Sequence, residues 1–305
     1  MRRGASIAVR CLSLSLLAAS AGCSWPGARR GNSQDPPTAQ QAARTQQISE
    51  RAQAAIDGGD LEQAKMELLQ LAAQIPGSAE AHQRLGKVLL LQGRLNEAES
   101  CFRRALQLDP DYVGALIGLG NIEAAQGDPQ SALKRFLLAV EIEPHDAEAH
   151  FACAQQLEAM GRTDEALAAY FRTLEFNPLH PEVSQRIGAI QLARNQPDQA
   201  LARLDQAVDL APENGEVHLL RGRAHLMLRH PPQAIADFLV AARNLPNRAD
   251  VYYSLALALD AAHQPADALK AAEQALRLAP DYADARDLSK RLRRSTATPT
   301  LSTLD

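Results

Sequence analysis

The stretch "VGALIGLGNIEAAQGDPQSALKRFLLAVEIEPHD", residues 113–146, decides the fold of this chain. Its first half contains four glycines, and two pairs of them match short functional motifs. Gly118 and Gly120 spell the G-x-G of a phosphate-binding loop, whereas Gly114 and Gly118 spell the G-x-x-x-G of a membrane helix contact. A phosphate loop requires a strand before it and a helix after it, so the preceding residues decide between these interpretations.

The residues before the glycines have the spacing of a helix. Apolar side chains recur there at intervals of three and four residues, at Leu95, Ala98, Phe102, Ala105 and Leu106. No strand is predicted to lead into the glycines, so a phosphate loop is not supported. Polar Asn121 and Glu123 in the same segment argue against a helix contact inside a membrane.

The same pattern returns along the chain at a fixed interval of 34 residues. Prolines keep this interval at 76, 110, 144, 178, 212, 246 and 280, and alanines keep it at 64, 98, 132, 166, 200, 234 and 268. Such a period is typical of a solenoid, in which each unit buries its apolar face against its neighbours. Seven units follow without insertion: 45–78, 79–112, 113–146, 147–180, 181–214, 215–248 and 249–282.

Within each unit the sequence predicts a helix, a short turn and an antiparallel second helix. A small residue at unit position 8 is expected to face the alanine at position 20 where the two helices cross. Position 15 ends the first helix, and Gly59, Gly93, Gly127 and Gly161 suit the left-handed conformation of such a cap. Asn195 suits it too, whereas Arg229 and His263 are expected to adopt it less easily. Prolines open several second helices, at 129, 197, 231 and 265.

This pattern closely resembles the tetratricopeptide repeat (TPR) family in its small residue at position 8, its alanine at position 20 and its proline at position 32. The resemblance covers residues 45–282 and implies an all-α fold, a right-handed superhelical solenoid of seven helix-turn-helix repeats. Leu71 and Thr173 depart from the family's alanine at position 27, and Arg221 departs from an apolar position 7. Residues 283–294 are predicted to form a C-terminal capping helix, and residues 295–305 a disordered tail.

The N-terminus has the pattern of an export signal. Arginines precede an apolar run, and residues 1–22 end in small residues before Cys23. The segment "SAGC" resembles the lipobox of bacterial lipoproteins, in which the cysteine is acylated, although Ser20 replaces the preferred leucine. The alternative is cleavage after "ASA", residues 19–21, which would release a soluble protein. In the lipoprotein interpretation, residues 23–44 are predicted to form a lipidated cysteine and a flexible tether.

Composition excludes several function classes. The formal charge of −4 and the lack of a dense basic block argue against nucleic acid as a partner. The four cysteines form no C-x-x-C, and His82, His150 and His218 recur at two-unit intervals instead of clustering, so no metal site is predicted. No catalytic grouping, cofactor or small-molecule substrate is predicted either.

In the TPR family the first helices line a concave groove that receives a peptide or a partner helix. Helical periodicity gives a compatible division, because unit positions 4, 7, 8 and 11 form a packed stripe and positions 2, 5, 9 and 12 a neighbouring exposed one. The predicted partner-binding residues on this second stripe are Gln83, Lys87, Ile117, Asn121, Phe151, Gln155, Gln185, Leu219, Arg223 and Tyr253. Aromatic and leucine side chains are expected to anchor the partner, and amides to bond its backbone.

The sequence therefore predicts a non-enzymatic protein-interaction scaffold, anchored by lipid at Cys23 in the cell envelope and serving a secretion, pilus or polysaccharide-export assembly. Ser24 after the cysteine favours the outer membrane, facing the periplasm, if the source is Gram-negative. The alternatives are a soluble periplasmic protein and a cytosolic adaptor or co-chaperone without an anchor.

Overall fold

A computed structural model describes residues 39–297, and within this range the chain is entirely α-helical. The chain divides after Gln46 into two compact units. Residues 39–46 begin the first helix, and residues 47–297 contain the repeats. The fifteen helices of the described range are α1 Ala39–Asp57, α2 Leu61–Gln74, α3 Ala79–Leu91, α4 Leu95–Leu108, α5 Val113–Ala125, α6 Pro129–Ile142, α7 Ala147–Ala159, α8 Thr163–Phe176, α9 Pro181–Ala193, α10 Pro197–Leu210, α11 Gly215–Met227, α12 Pro231–Asn244, α13 Ala249–Ala261, α14 Pro265–Leu278 and α15 Ala283–Ala297.

Successive helices pair as predicted, and the fold is a superhelical repeat of helix-turn-helix units. Each odd-numbered helix from α3 to α13 packs on the following helix, and each even-numbered one packs on the next unit. The first helices of successive units also contact each other directly. Examples are α3 with α5 and α11 with α13. The predicted signal segment 1–22, Cys23 and the residues after 297 lie outside the described residues.

Two predicted boundaries differ from the structure. The first helix begins at Ala39, so residues 39–44 of the predicted tether are helical. Their sequence, AQQAAR, consists of residues with high helix propensity, which extend the helix beyond the repeat. The capping helix α15 likewise continues to Ala297, past the predicted end at residue 294.

The turns inside the units have the predicted left-handed residue at position 15. Positive φ occurs at all seven positions: Gly59, Gly93, Gly127, Gly161, Asn195, Arg229 and His263. Arg229 and His263, expected to resist this conformation, both adopt φ of 59°. The repeat geometry therefore imposes the turn even where the residue does not favour it.

Several second helices begin at the predicted prolines, including Pro129 and Pro265. Proline is tolerated there because the first N–H of a helix lacks an intrahelical acceptor. Before Pro129, the Asp128 carboxylate accepts a hydrogen bond from the backbone N–H of Ser131 at 3.1 Å. This bond satisfies one of the unpaired amides at the helix start.

The core of each unit forms where its two helices cross. Every alanine at position 20 is completely buried. In the four units with glycine at position 8, however, the nearest side-chain atoms belong to position 24 and not to the predicted alanine. A Cβ added to Gly120 would lie 2.4 Å from a ring carbon of Phe136, and one added to Gly222 would lie 2.6 Å from Phe238. These glycines leave space for a large side chain of the second helix.

The apolar core continues along the repeats to the capping helix. Leu288 and Leu292 of α15 are buried against side chains of α13 and α14, including Leu255 and Ala272. On the opposite face of α15, Lys290 and Arg291 are exposed. The amphipathic α15 therefore covers the apolar end of the stack.

The departures from the family pattern remain compatible with the core. Leu71 is almost completely buried, and Thr173 is completely buried with its hydroxyl donating to the Ala169 carbonyl at 3.1 Å. Burial also raises the pKa of the Cys153 thiol to about 12, in agreement with an apolar packing role.

Candidate partner-binding groove

We define the groove face as the surface of the first helices that carries unit positions 2, 5, 9 and 12. Its predicted binding residues differ in accessibility. Lys87 and Asn121 are exposed. Five are half-buried, namely Phe151, Gln155, Gln185, Arg223 and Tyr253, and three are buried, namely Gln83, Ile117 and Leu219.

The prediction that Ile117 and Leu219 are accessible is wrong. Ile117 is 3% exposed and belongs to a cluster with Phe136, and Leu219 is 0% exposed and packs with residues of α13. Gln83 is buried because Gly114 in the next unit has no side chain, so that a Cβ there would lie 3.0 Å from the Gln83 amide nitrogen. These three residues hold neighbouring units together and do not reach the groove surface.

A contact over 29 residues joins the half-buried position-5 residues to the end of their own unit. The Phe151 and His180 rings lie 4.7 Å apart, and the Tyr253 and Tyr282 rings 5.0 Å apart. In both pairs the second residue immediately precedes the next first helix, at unit position 34. Asn214 occupies the same place and donates to Gln185. Position 34 therefore lines the groove. It was not identified from the sequence, although position 34 lies 29 residues after position 5 in every unit.

A second regular contact links position 9 to position 2 of the next unit. Gln155 donates to Glu182 at 3.3 Å, and the Arg223 guanidinium lies 3.1 Å from Asp250. Lys87 skips a unit and forms an ion pair with Glu148 at 2.8 Å. Because Gly114 of the intervening unit has no side chain, Lys87 reaches across α5. Positions 2 and 9 therefore share one face, as the helical period predicted.

An acidic pocket lies on the groove face beside α9, with a volume of about 480 Å³. Ala189 occupies position 9 there, where neighbouring units carry Gln155 and Arg223, and the short side chain leaves space. The other residues around this space include Glu158, Glu182, Gln185, Arg186, Asn214 and Glu216. Three of these are carboxylates and one is a guanidinium.

A tyrosine pocket of about 480 Å³ lies between α11 and α13. Its lining is mainly apolar and includes Leu226, Met227, Phe238, Tyr253, Leu257 and Tyr282. The hydroxyl of Ser254, which also lines it, donates to the Asp250 carbonyl of its own helix at 2.8 Å. This bond uses the one hydrogen-bond donor of the serine, so the hydroxyl has no free donor for a ligand.

Electrostatics keep the two tyrosine hydroxyls protonated. Burial, with the nearby Asp284 carboxylate, raises the pKa of Tyr253. Burial and the neighbouring Tyr253 and Asp250 raise the pKa of Tyr282. Both side chains therefore present hydrogen-bond donors next to an apolar surface, a combination that favours protein interfaces.

The recurring histidines have a structural role at the unit junctions. The Nε2 atoms of His82, His150 and His218 lie 3.4, 3.0 and 2.9 Å from the carbonyl oxygens of the prolines six residues earlier. Each histidine therefore ties the start of a first helix to the preceding turn. Within residues 39–297, no group of three or more His, Cys, Asp or Glu side chains is arranged to hold a metal ion.

None of the helices between residues 39 and 297 combines the length and the apolar character needed to cross a bilayer.

Solved structures share this fold. A chain of the APC/C hetero-tetramer Cut9-Hcn1 matches with a TM-score of 0.63 and 18% identity, covering 79% of this chain and 48% of that chain. The Pseudomonas aeruginosa protein PilF matches with a TM-score of 0.63 and 19% identity, covering 70% of this chain and 97% of that chain. YrrB, described as a TPR protein with an unusual peptide-binding site, matches with a TM-score of 0.57 and 20% identity. The match covers 62% of this chain and 97% of that chain. At these identities the likeness concerns the fold alone.

Sequence comparison agrees with the structure. No curated protein sequence matches the chain significantly. Family profiles described as tetratricopeptide repeat match residues 79–112, 123–185 and 187–249. TPR folds bind protein or peptide partners, so the repeats form a protein-interaction scaffold. The profiles, the 34-residue period and the paired helices together show that this chain belongs to the tetratricopeptide repeat family.

Proposed function

We propose that this protein binds an extended segment of a protein partner along its groove face while acyl chains on Cys23 hold it at a membrane. The observation that carries the binding role is the row of half-buried Phe151, Gln185 and Tyr253 beside the polar contacts of positions 9 and 2. The description of YrrB as having a peptide-binding site supports this use of the fold.

The side chains of the groove face suit an extended peptide. Phe151 and Tyr253 offer ring surface at little further entropy cost, because each already packs against the residue at position 34. The amides of Asn121, Gln155 and Gln185 supply donors and acceptors for a peptide backbone that has no partner strand.

The anchoring role rests on the sequence before the repeats. Cys23 follows an apolar run and small residues, as in bacterial lipoproteins, and the chain up to Ala39 spaces it from the first helix. Acyl chains on one residue hold a hydrophilic body at a bilayer. We place the protein in the cell envelope, at the outer membrane facing the periplasm in a Gram-negative source, within a secretion, pilus or polysaccharide-export assembly.

The groove is tested with a partner captured from membranes and then purified. The Phe151→Ala and Tyr253→Ala double variant should weaken binding by about 2 to 4 kcal/mol, because aromatic anchors dominate such interfaces. The matched control is Lys134→Ala on an exposed site of α6, which should leave the affinity unchanged. A partner lost in the control and retained by the folded double variant would exclude the groove.

The anchor is tested with labelled fatty acid. Wild type should incorporate the label and fractionate with membranes, and Cys23→Ala should do neither. An unlabelled, soluble wild-type protein would instead support cleavage after residue 21 and a soluble periplasmic protein. Retention of the whole N-terminal segment in the cytosol would support an adaptor or co-chaperone.

A further inference from the structure

The two pockets of the groove face differ in chemistry and lie in neighbouring units. The acidic pocket beside α9 is surrounded by Glu158, Glu182 and Glu216 with Arg186 as the cation in its lining. Arg186 lies 3.5 Å from Glu158 and 3.6 Å from Glu182, and therefore divides its charge between two carboxylates. Glu216 pairs with Arg248, whose guanidinium also pairs with Asp250. The three carboxylates therefore face Arg186 and only part of the charge of Arg248, and the remaining negative charge favours a cationic group in the space above Ala189.

The tyrosine pocket favours a large apolar group. Phe238 closes its floor and is completely buried, while Met227 on its rim is 42% exposed. The guanidinium in its lining is already paired, since Arg223 contacts Asp250, and Asp250 also accepts from Arg248. An apolar side chain entering this pocket would cover ring and thioether surface without desolvating an unpaired charge.

The distance between the pockets sets the spacing of the ligand groups. The acidic pocket lies around α9 and extends to α11, and the tyrosine pocket lies between α11 and α13. These helices contact their neighbours in turn, and packed helices lie about 8 to 10 Å apart. An extended peptide rises about 3.3 Å per residue, so this separation corresponds to about three residues.

We propose that the groove of units five to seven selects an extended partner segment with a lysine or arginine about three residues from a large apolar residue. The cation occupies the acidic pocket, and the apolar side chain occupies the tyrosine pocket. This inference rests on the proposed binding function and adds the chemistry of the partner to it.

The test is a selection of random twelve-residue peptides displayed on phage against the full chain. Selected peptides should share a basic and a large apolar residue two to four positions apart. Met227→Asp should weaken the binding of a selected peptide about tenfold, because it places charge on the rim of the apolar pocket. Leu239→Asp, at a similarly exposed leucine of α12, is the matched control and should have no effect.

A charge-reversal variant tests the preference of the acidic pocket independently of that of the tyrosine pocket. Selection against Glu182→Lys should lose the preference for a basic residue and keep that for the apolar one, with helicity checked by circular dichroism. An unchanged basic preference would overturn the inference. Peptides that lack the basic and apolar pair but lose binding on Phe151→Ala would overturn it while leaving the proposed function intact. Failure to select any peptide sensitive to changes on the groove face would overturn both.

Discussion

At the scale of single residues, the turn inside each unit requires a left-handed backbone whatever residue occupies it. His263 and Arg229 adopt φ of 59°, whereas four other units place glycine there. Non-glycine residues are disfavoured in this region by contact between Cβ and the backbone. The sequence predicted the turn from the glycines, and the two exceptions follow from the repeat geometry.

Replacing these two residues with glycine should stabilise the protein. We expect His263→Gly and Arg229→Gly each to raise the free energy of unfolding by about 1 kcal/mol, because both side chains are exposed and only the backbone strain is relieved. Urea denaturation followed by circular dichroism measures the change. Gly127→Ala is the matched reverse substitution and should destabilise; a loss of stability in the His263 variant would contradict the argument.

A second residue-scale prediction concerns the glycine that faces Phe136. A methyl group at Gly120 would lie 2.4 Å from the ring, so Gly120→Ala should cost about 1 to 3 kcal/mol of stability through overpacking. Gly77→Ala is the control, since its added Cβ would meet no atom within 4 Å. Equal melting temperatures for the two variants would show that the ring moves aside without cost.

At the scale of elements, α11 and α12 join through charged groups at positions where most other units use apolar ones. Arg221 at unit position 7 makes paired hydrogen bonds to Asp237, with its Nη2 atom 2.7 Å from Oδ1. His218 lies 2.8 Å from the same carboxylate, which is 4% exposed. The sequence marked Arg221 as a departure from the repeat but did not identify its partner. Arg51 and Glu67, 3.2 Å apart, occupy the same unit positions 7 and 23, so the pairing recurs between the two helices of unit one.

Removing Asp237 alone should be more damaging than removing the pair. Asp237→Leu removes the partner of His218 Nδ1 and leaves Arg221 with Asp205 as its remaining carboxylate, and we expect a loss of about 3 kcal/mol. Arg221→Leu combined with Asp237→Leu should recover most of that loss, because apolar residues restore the packing typical of position 7. Chemical denaturation of both variants tests this, and a double variant as unstable as the single one would argue against it.

The environment of His225 in α11 leads us to expect that the stability of the protein depends on pH. Burial lowers the pKa of His225 below its ordinary value of 6.5, with Asp237 acting in the opposite direction and Arg221 in the same one. The unfolded chain therefore binds a proton more readily than the folded one. The contribution of neutral His225 is complete above pH 6.5 and is lost as the pH falls through the lowered folded value.

The measurement compares unfolding free energies at about pH 7.5 and about pH 5. Wild type should lose more stability on acidification than His225→Gln, which cannot take up a proton at this site. The variant also controls for the carboxylates, which titrate in both proteins. An equal loss in the two proteins would show that His225 does not contribute to the acid response.

At the scale of the whole molecule, the sequence predicted the features set by residues close together in the chain and missed those set by contacts between helices. The turn at Gly127 and the helix start at Pro129 are determined by nearby residues, and the period revealed both. The burial of Leu219 depends on contacts with the following unit, which its own helical pattern does not report. The accessibility of individual groove residues could therefore be determined only from the structure, whereas the face on which they lie could be predicted from the sequence.

The interdependence of neighbouring units leads to a prediction about the end of the stack. Ending the chain at Tyr282 removes Leu288 and Leu292, which are 5% and 1% exposed, and uncovers the apolar side chains of α13 and α14. In a linear array each unit is stabilised mainly by its neighbours. We expect hydrogen exchange to accelerate in α13 and α14 and to remain unchanged in α3 to α8.

A chain ending at Ala297 is the control for this truncation, because it keeps the whole of α15 and should exchange like wild type. Since the tyrosine pocket lies between α11 and α13, the chain ending at Tyr282 should also bind partner peptides more weakly there. Faster exchange spread evenly from α3 to α14 would instead mean that the repeats unfold as one cooperative unit. The pattern of exchange along the helices thus distinguishes local fraying from global loss of stability.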